Sequence, residues 1–347
     1  MILDKIKIGK ILDYKIIDIS DEEYFGSGYS DWVSNSKLSL INPDEEGSPE
    51  KFNAGLGGNK KYSDALVFGS AIHELTLQPQ FFMLNETIDR PSGKPGFMFD
   101  YIINNGLVVD RESIIEAAGV MDYFKGNPKE EKIQELIDKH KDYYEYMYSE
   151  DRLYDNEAIT QIYLSSYDRM RAKACMDSIN NNNSFRNLLH PEYAYIPPTI
   201  KNEATVLMTV EVIVPKGDSF EIVPIRLKGK LDNFTVDYED EILKLNDLKT
   251  TGKDIPNFGE SFEKYHYSRQ MGLYLWMLKA LYADEKHKNF NIGANMLVVQ
   301  TKAPYTSKVF PVSLTTIQEG LKEAAQLIKR VAFHTLYGFD KNIEDYE

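Results

Sequence analysis

The sequence has almost no cysteine, since Cys175 is the single one among 347 residues. One cysteine cannot form an intramolecular disulfide, and it excludes zinc and iron–sulfur sites built from cysteine alone. Long apolar runs are also missing. No stretch approaches the roughly 18 residues of a membrane-spanning helix, and the segment from Met1 to Ser20 lacks the apolar core of a signal peptide. We therefore expect a soluble, cytoplasmic protein with no membrane partner.

The sequence also lacks an excess of positive charge. Its formal net charge is −14 at pH 7, whereas proteins that coat nucleic acid are usually basic. This balance argues against a general nucleic-acid-coating protein. It does not exclude an enzyme with a local basic channel, because carboxylates that hold metal ions also make the net charge negative.

Helical spacing of apolar residues dominates the chain before residue 192. Ser34 or Ser36 is predicted to cap a short helix, and residues 85–127, with no sustained period, are predicted to be an irregular insertion. The longer helices are predicted over 63–82, 128–150 and 156–179.

After residue 192 apolar and polar residues alternate, as is typical of strands. Strands are predicted over 204–214, 219–237, 241–251, 292–301 and 305–313, and helices over 261–283 and 315–338. No internal repeat or clear linker divides the chain. We therefore predict a single domain over 1–347, with an N-terminal part (1–84), a mostly helical insertion (85–190) and a sheet with flanking helices (191–347).

The strands 226–238 and 241–250 can form a hairpin with a tight loop at Glu239–Asp240. Side chains alternate along a strand, so residues that face each other lie on the same side of the sheet. The facing pairs are Val236 with Leu243, Phe234 with Leu245, and Asp232 with Asp247. A slip of one residue would mix apolar and polar partners, so this register is favoured.

Two facing aspartates repel each other and need compensation. A divalent cation provides it, because Mg²⁺ takes oxygen ligands and keeps waters for a substrate phosphate. Lys249 continues along the same face, where it can hold or deprotonate an attacking water and stabilise the charge of the phosphate. The alternative is a surface hairpin with a salt bridge between Asp247 and Lys249, and the pattern leaves both interpretations open.

Four sequence blocks, in order, carry a family resemblance: "GSAIHELTLQPQFF", "KGKLD", "NDLKTT" and "YSRQMGLYLW". The chain resembles the PD-(D/E)XK nuclease superfamily, and more closely the phage and prophage exonucleases of the RecE (exodeoxyribonuclease VIII) type. "SNSKLSLI" near residue 34 is also similar to the start of that family. The resemblance implies an α/β (α+β) fold with a restriction-endonuclease-like core. Such a core is a mixed central sheet flanked by helices, with the site at a fork between strands.

The resemblance also implies roles for particular residues. Asp232 and Asp247 become metal ligands, Lys249 the catalytic lysine, His73 a further metal ligand, and Gln270 the glutamine beside the active site. Tyr267 and Tyr274 lie on the helix of Gln270 and are further site candidates. Two features depart from the family: 14 residues separate Asp232 from Asp247, which a longer hairpin absorbs, and the acidic residue of the first core strand is either Glu203 or Glu211. Glu203 is preferred because it precedes "TVLMTV".

Some of these residues also have a purely structural interpretation. A lone helix histidine such as His73 is more often satisfied by its neighbours than bound to a metal. Tyr267, Gln270 and Tyr274 form one helical stripe, and such a stripe is usually core, although glutamine is a poor core residue.

The resemblance implies a Mg²⁺-dependent deoxyribonuclease, with Mn²⁺ as a substitute. We expect a 5′→3′ exonuclease that acts on double-stranded DNA ends in phage recombination, with a single-strand annealing protein as partner and closed rings of subunits. One alternative is a RecB-like nuclease of the CRISPR-associated type, although the cysteine cluster of many such nucleases is missing. The other is an inactivated nuclease fold that binds DNA or acts as a scaffold, although Asp232, Asp247 and Lys249 are all intact.

Overall fold

The computed structural model describes residues 2–55, 63–149, 159–193, 195–284, 287 and 289–346. The chain divides into two compact units. The first unit contains residues 1–59, 183–298 and 308–347, and the second contains residues 60–182 and 299–307. That the whole chain folds as a single domain stays a prediction.

The first unit is built on a six-stranded sheet. Its strands are β1 (Lys7–Ile17), β4 (Thr199–Lys216), β5 (Ser219–Asp237), β6 (Ile242–Thr251), β7 (Asn291–Gln300) and β8 (Ser307–Val312), in the order β1-β4-β5-β6-β7-β8. The neighbours from β1 to β6 pair antiparallel. β7 runs in the same direction as β6, because the Asn291 N–H donates to the Glu241 carbonyl and the Asn295 amide donates to Asn246. The predicted α/β fold with a mixed central sheet is confirmed.

Helices flank this sheet and complete its apolar core. The core joins fully buried residues of the strands, such as Val206 and Phe234, to Met271 and Ile328 of two long helices. Ser34 caps the first turn of a short helix by accepting the Lys37 N–H, so one of the two predicted caps is confirmed. The helices are α1 (Ile2–Lys5), α2 (Asp21–Phe25), α3 (Asn35–Ser39), α4 (Pro49–Gly55), α11 (Asn183–Leu189), α12 (Phe258–Lys264), α13 (Tyr267–Leu281) and α14 (Leu314–Tyr337).

The hairpin of β5 and β6 has the predicted register for its apolar pairs. β5 ends at Asp237 and β6 begins at Ile242, so the connection is longer than the predicted loop at Glu239–Asp240. The Asp237 carboxylate accepts the N–H groups of Glu239 and Asp240 at 2.9 and 3.1 Å, and Glu241 takes a φ of 53°. These features form the turn without glycine. The apolar pairs are Phe234 with Leu245 and Val236 with Leu243.

Helices α13 and α14 cross with their backbones in contact. A Cβ atom added at Gly320 would lie 1.9 Å from the carbonyl oxygen of Ser268, and one added at Gly272 would lie 2.3 Å from the nitrogen of Leu321. Glycine is therefore required at both positions, since it alone lets two backbones approach this closely.

The second unit is mostly helical, with a parallel two-stranded sheet of β2 (Phe82–Leu84) and β3 (Thr160–Ile162). Its core is a separate cluster that includes Phe99, Ile102, Ile114 and Tyr143. Across the described parts of both units, no helix is long and apolar enough to cross a membrane. The helices are α5 (Asp64–Leu77), α6 (Lys94–Asn104), α7 (Arg111–Val120), α8 (Glu130–Lys139), α9 (Lys141–Tyr148) and α10 (Ser166–Asn180).

The structure corrects the predicted elements of this unit. Residues 85–127 are not an irregular insertion, because they contain α6 and α7. Consecutive residues of α6, Phe97 to Phe99, are all buried. The helix therefore has no one-sided apolar stripe that would mark it in the sequence. The helix predicted over 128–150 is two helices that meet at His140. The helix predicted over 156–179 begins only at Ser166, after strand β3, and residues 156–158 lie outside the described residues.

We predict that Gly320→Ala destabilises the protein. The added methyl has to push α13 away from α14, and overpacking of this kind costs about 1–3 kcal/mol or more. Gly259→Ala in α12 is the matched control, because its Cβ meets nothing within 4 Å. Replacement of that helical glycine should stabilise by about 0.5–1 kcal/mol. Urea denaturation of both variants measures the difference, and equal stabilities would show that the crossing does not depend on Gly320.

Candidate active site

The β5–β6 ladder stops where the two candidate aspartates begin. Its last pair is Asn233 with Asn246. At the next position the Asp232 carboxylate replaces the backbone, because its Oδ2 accepts the Leu248 N–H at 2.7 Å. Closer to the start of β5, the edge that would pair with β6 is instead occupied by Val33, which bridges to Leu227. β5 and β6 therefore diverge, and we call this divergence the fork.

Asp247 lies at the fork, and each of its carboxylate oxygens contacts a neighbouring side chain. Its Oδ1 accepts a hydrogen bond of 2.7 Å from the Gln270 amide of α13, and its Oδ2 lies 2.5 Å from Lys249 Nζ. The side chain is 1% exposed. Lys249 Nζ also lies 4.0 Å from Asp232 Oδ2, so the three residues that the sequence selected by alternation are adjacent in the structure.

Glu203 adds a third carboxylate from the neighbouring strand. Between the pairs Asn202–Asn233 and Ala204–Leu231, the β4–β5 ladder skips the position where Glu203 faces Asp232. Glu203 has a φ of 51° there, a left-handed conformation that costs about 1–3 kcal/mol and occurs most often at functional sites. Ligand atoms of Glu203 and Asp232 lie within 4.8 Å of each other.

Two lysines balance the charge of these carboxylates. Burial alone would lower the pKa of Lys249, but the carboxylates of Asp247 and Asp232 outweigh it and raise that pKa. These carboxylates therefore favour the charged ammonium form of Lys249, which donates hydrogen bonds. Lys230 pairs with Glu203 at 2.8 Å and with Asp21, and these carboxylates likewise raise its pKa against the effect of burial.

The donor set fits a hard divalent cation. Asp232, Asp247 and Glu203 supply oxygen ligands, which Mg²⁺ and Mn²⁺ prefer. Asp247 Oδ2 is buried and, among the described residues, takes no hydrogen bond of acceptable geometry, so the Lys249 charge alone faces this oxygen at close range. A cation that binds this oxygen would share it with Lys249.

Tyr267 and Tyr274, both on α13, have different surroundings. The Tyr267 ring packs 5.4 Å from Lys249 Nζ, a cation–π contact at the site. Tyr274 is buried and packs against Gly229, where an added Cβ would lie 3.0 Å from its ring. Gly229 is the glycine of "KGKLD", so this block provides room for the helix as well as a carboxylate.

Glu211, the other glutamate that the sequence left open, lies away from the fork. Glu211 is eight positions along β4 from Glu203, about 26 Å away at the usual rise per residue, and pairs with Lys10 at 3.6 Å. Of the two glutamates that the sequence offered, Glu203 therefore lies at the fork and Glu211 does not. His73 lies on α5 of the second unit and is half-buried. Its proposed role as a metal ligand stays a prediction.

The buried arginine that holds α13 was not predicted from the sequence. Arg269 is fully buried and donates to Asn35 at 3.0 Å, Ser39 at 2.6 Å and Glu323 at 2.9 Å. Asn35 and Ser39 belong to "SNSKLSLI", and Arg269 directly precedes Gln270. The block near residue 34 therefore positions the helix that contacts Asp247. The only sequence signal for the role of Arg269 was its position next to Gln270.

The comparisons with known proteins concern this same region. A family model of the PD-(D/E)XK nuclease superfamily matches residues 120–344, which include Asp232, Asp247, Lys249 and Gln270. No curated protein matches the chain significantly. A solved structure from Eubacterium rectale, provisionally described as an exonuclease, is 12% identical with a TM-score of 0.49, and the alignment covers 94% of this chain and 89% of that one.

Proposed function

Because the chain belongs to the PD-(D/E)XK nuclease superfamily, we propose that it is a metal-dependent deoxyribonuclease with its active site at the fork. The observation that best supports this proposal is the convergence of Asp232, Asp247 and Glu203 with Lys249 where the strand ladder ends. Enzymes of this superfamily use divalent metals. Mg²⁺ is the proposed cofactor, with Mn²⁺ as a substitute, because both prefer carboxylate oxygens and water.

Each side chain at the fork has a proposed task. Asp232 and Asp247 hold the cation, with Glu203 as a third carboxylate. A cation held by these carboxylates would polarise the phosphate and lower the pKa of a bound water. Lys249 donates to a phosphate oxygen where negative charge develops, and Gln270 fixes the Asp247 carboxylate through its Oδ1.

His73 is proposed as a further metal ligand on the strength of the "GSAIHELTL" resemblance. His73→Ala should weaken Mn²⁺ binding at least about 10-fold, since loss of even an outer partner of a metal site often costs that much. Binding of duplex DNA in EDTA should stay unchanged. Calorimetric titration measures the affinity, and His190→Ala, which removes an exposed histidine, is the control. Lower stability with unchanged Mn²⁺ affinity would make His73 a structural residue.

The proposed substrate is the end of double-stranded DNA, degraded 5′→3′ as in the RecE-type exonucleases that the four sequence blocks resemble. The product, a long single strand with a 3′ end, is what a single-strand annealing partner would need in phage recombination. A closed ring of subunits in a bacterial or phage-infected cytoplasm suits this activity, because a ring can retain one DNA end.

Labelled DNA tests this activity directly. With Mg²⁺, linear duplex should be degraded with early release of a 5′ label as mononucleotide, while relaxed closed circles survive, because an enzyme that holds an end excludes continuous DNA. Lys249→Met should abolish cleavage without loss of folding. Lys308→Met in strand β8 is the control and should leave cleavage unchanged. Early internal fragments or linearised circles would show an endonuclease instead, and early release of a 3′ label would reverse the polarity.

A further inference from the structure

Four asparagine side chains form a continuous hydrogen-bonded row across four strands. Asn233 Nδ2 donates to Asn202 Oδ1 at 2.7 Å, Asn246 Nδ2 to Asn233 Oδ1 at 2.7 Å, and Asn295 Nδ2 to Asn246 Oδ1 at 2.8 Å. Each bond joins neighbouring strands, in the order β4, β5, β6 and β7. We call these residues the amide row.

The amide row is buried at its centre. Asn233 and Asn246 are 0% exposed, and Asn295 is 8% exposed. A buried amide without a partner costs about 1–3 kcal/mol, so each of these side chains is satisfied only while its neighbours stay in register. An apolar row would have no such requirement.

The amide row lies one residue from the candidate ligands. Asn202 precedes Glu203, Asn233 follows Asp232, and Asn246 precedes Asp247. Asn233 and Asn246 are also the last pair of the β5–β6 ladder. A slip of one residue between these strands would turn side chains to the opposite face and break the row. The row therefore fixes the residue at which the fork begins.

We infer that the four asparagines are positioning residues that hold Glu203, Asp232 and Asp247 in ligand geometry at the fork. The inference rests on the proposed function for the identity of the ligand, a divalent cation. The row itself does not touch that cation. It acts through the backbone, by setting the register of the three strands that present the carboxylates.

The central test is Asn246→Leu, which removes two bonds of the row at nearly constant volume. Mn²⁺ affinity, measured by calorimetry, should fall about 10–100-fold, the usual effect of losing a supporting partner of a metal site. Protection of the Leu248 amide from hydrogen exchange, measured without metal, should also fall, because its acceptor Asp232 is displaced. Asn202→Ala, at the half-buried end of the row, should show both effects more weakly and remain folded.

Two controls separate positioning from general stability. Thr235→Val removes a buried hydroxyl that has no hydrogen-bond partner among the described residues, two residues from Asn233 on the same strand, and should change neither readout. Ile328→Val removes a methylene from the core formed with α14 and should lower the melting temperature but leave Mn²⁺ affinity unchanged.

The outcomes distinguish this inference from the proposed function. Unchanged Leu248 protection in Asn202→Ala would overturn the positioning role, even if Asn246→Leu failed to fold. Reduced protection in a protein whose wild type binds no Mn²⁺ would support the positioning role and overturn the proposed function. Reduced protection with unchanged Mn²⁺ affinity would show that the row fixes the strands without serving the metal, which also contradicts the inference.

Discussion

The arrangement of the site depends on one hydrogen bond, from the Leu248 N–H to the Asp232 carboxylate. In an uninterrupted ladder a backbone carbonyl would occupy that position and β6 would continue along β5. The carboxylate replaces the carbonyl, so the ladder ends at Asn233 and Asn246. Asp247 and Lys249 then extend from a strand that has separated from its neighbour.

The charges at the fork suit a divalent cation. Glu203, Asp232 and Asp247 come from three adjacent strands, and Lys249 is the ammonium that lies beside two of them. Buried carboxylates are costly unless they are paired. The strained Glu203 backbone is a further cost at the same place. Costs of this kind persist where function requires the arrangement, and metal-assisted phosphodiester hydrolysis requires such carboxylates.

Sequence patterns predicted the parts of the site that follow from strand alternation. The apolar pairs of the hairpin fixed the register, and the register placed Asp232, Asp247 and Lys249 on one face. The contact between Gln270 and Asp247 followed only from the family resemblance, because no local pattern relates two side chains that are 23 residues apart. The conformation of Glu203 could not be predicted, since a positive φ in a strand has no signal unless glycine marks it. Helix α6 was missed because a helix buried on several sides shows no apolar stripe.

The central claim is that the fork carboxylates bind a divalent cation, and calorimetric titration of the purified protein with Mn²⁺ tests it most directly. Wild type should bind in the micromolar to millimolar range, and Asp247→Asn, which keeps the shape and the acceptor for Gln270 but removes the charge, should bind far more weakly. Glu221→Gln, which removes a carboxylate from an exposed ion pair on β5, should bind like wild type. Equal Mn²⁺ affinity in all three proteins, or no binding by any of them, would contradict the account.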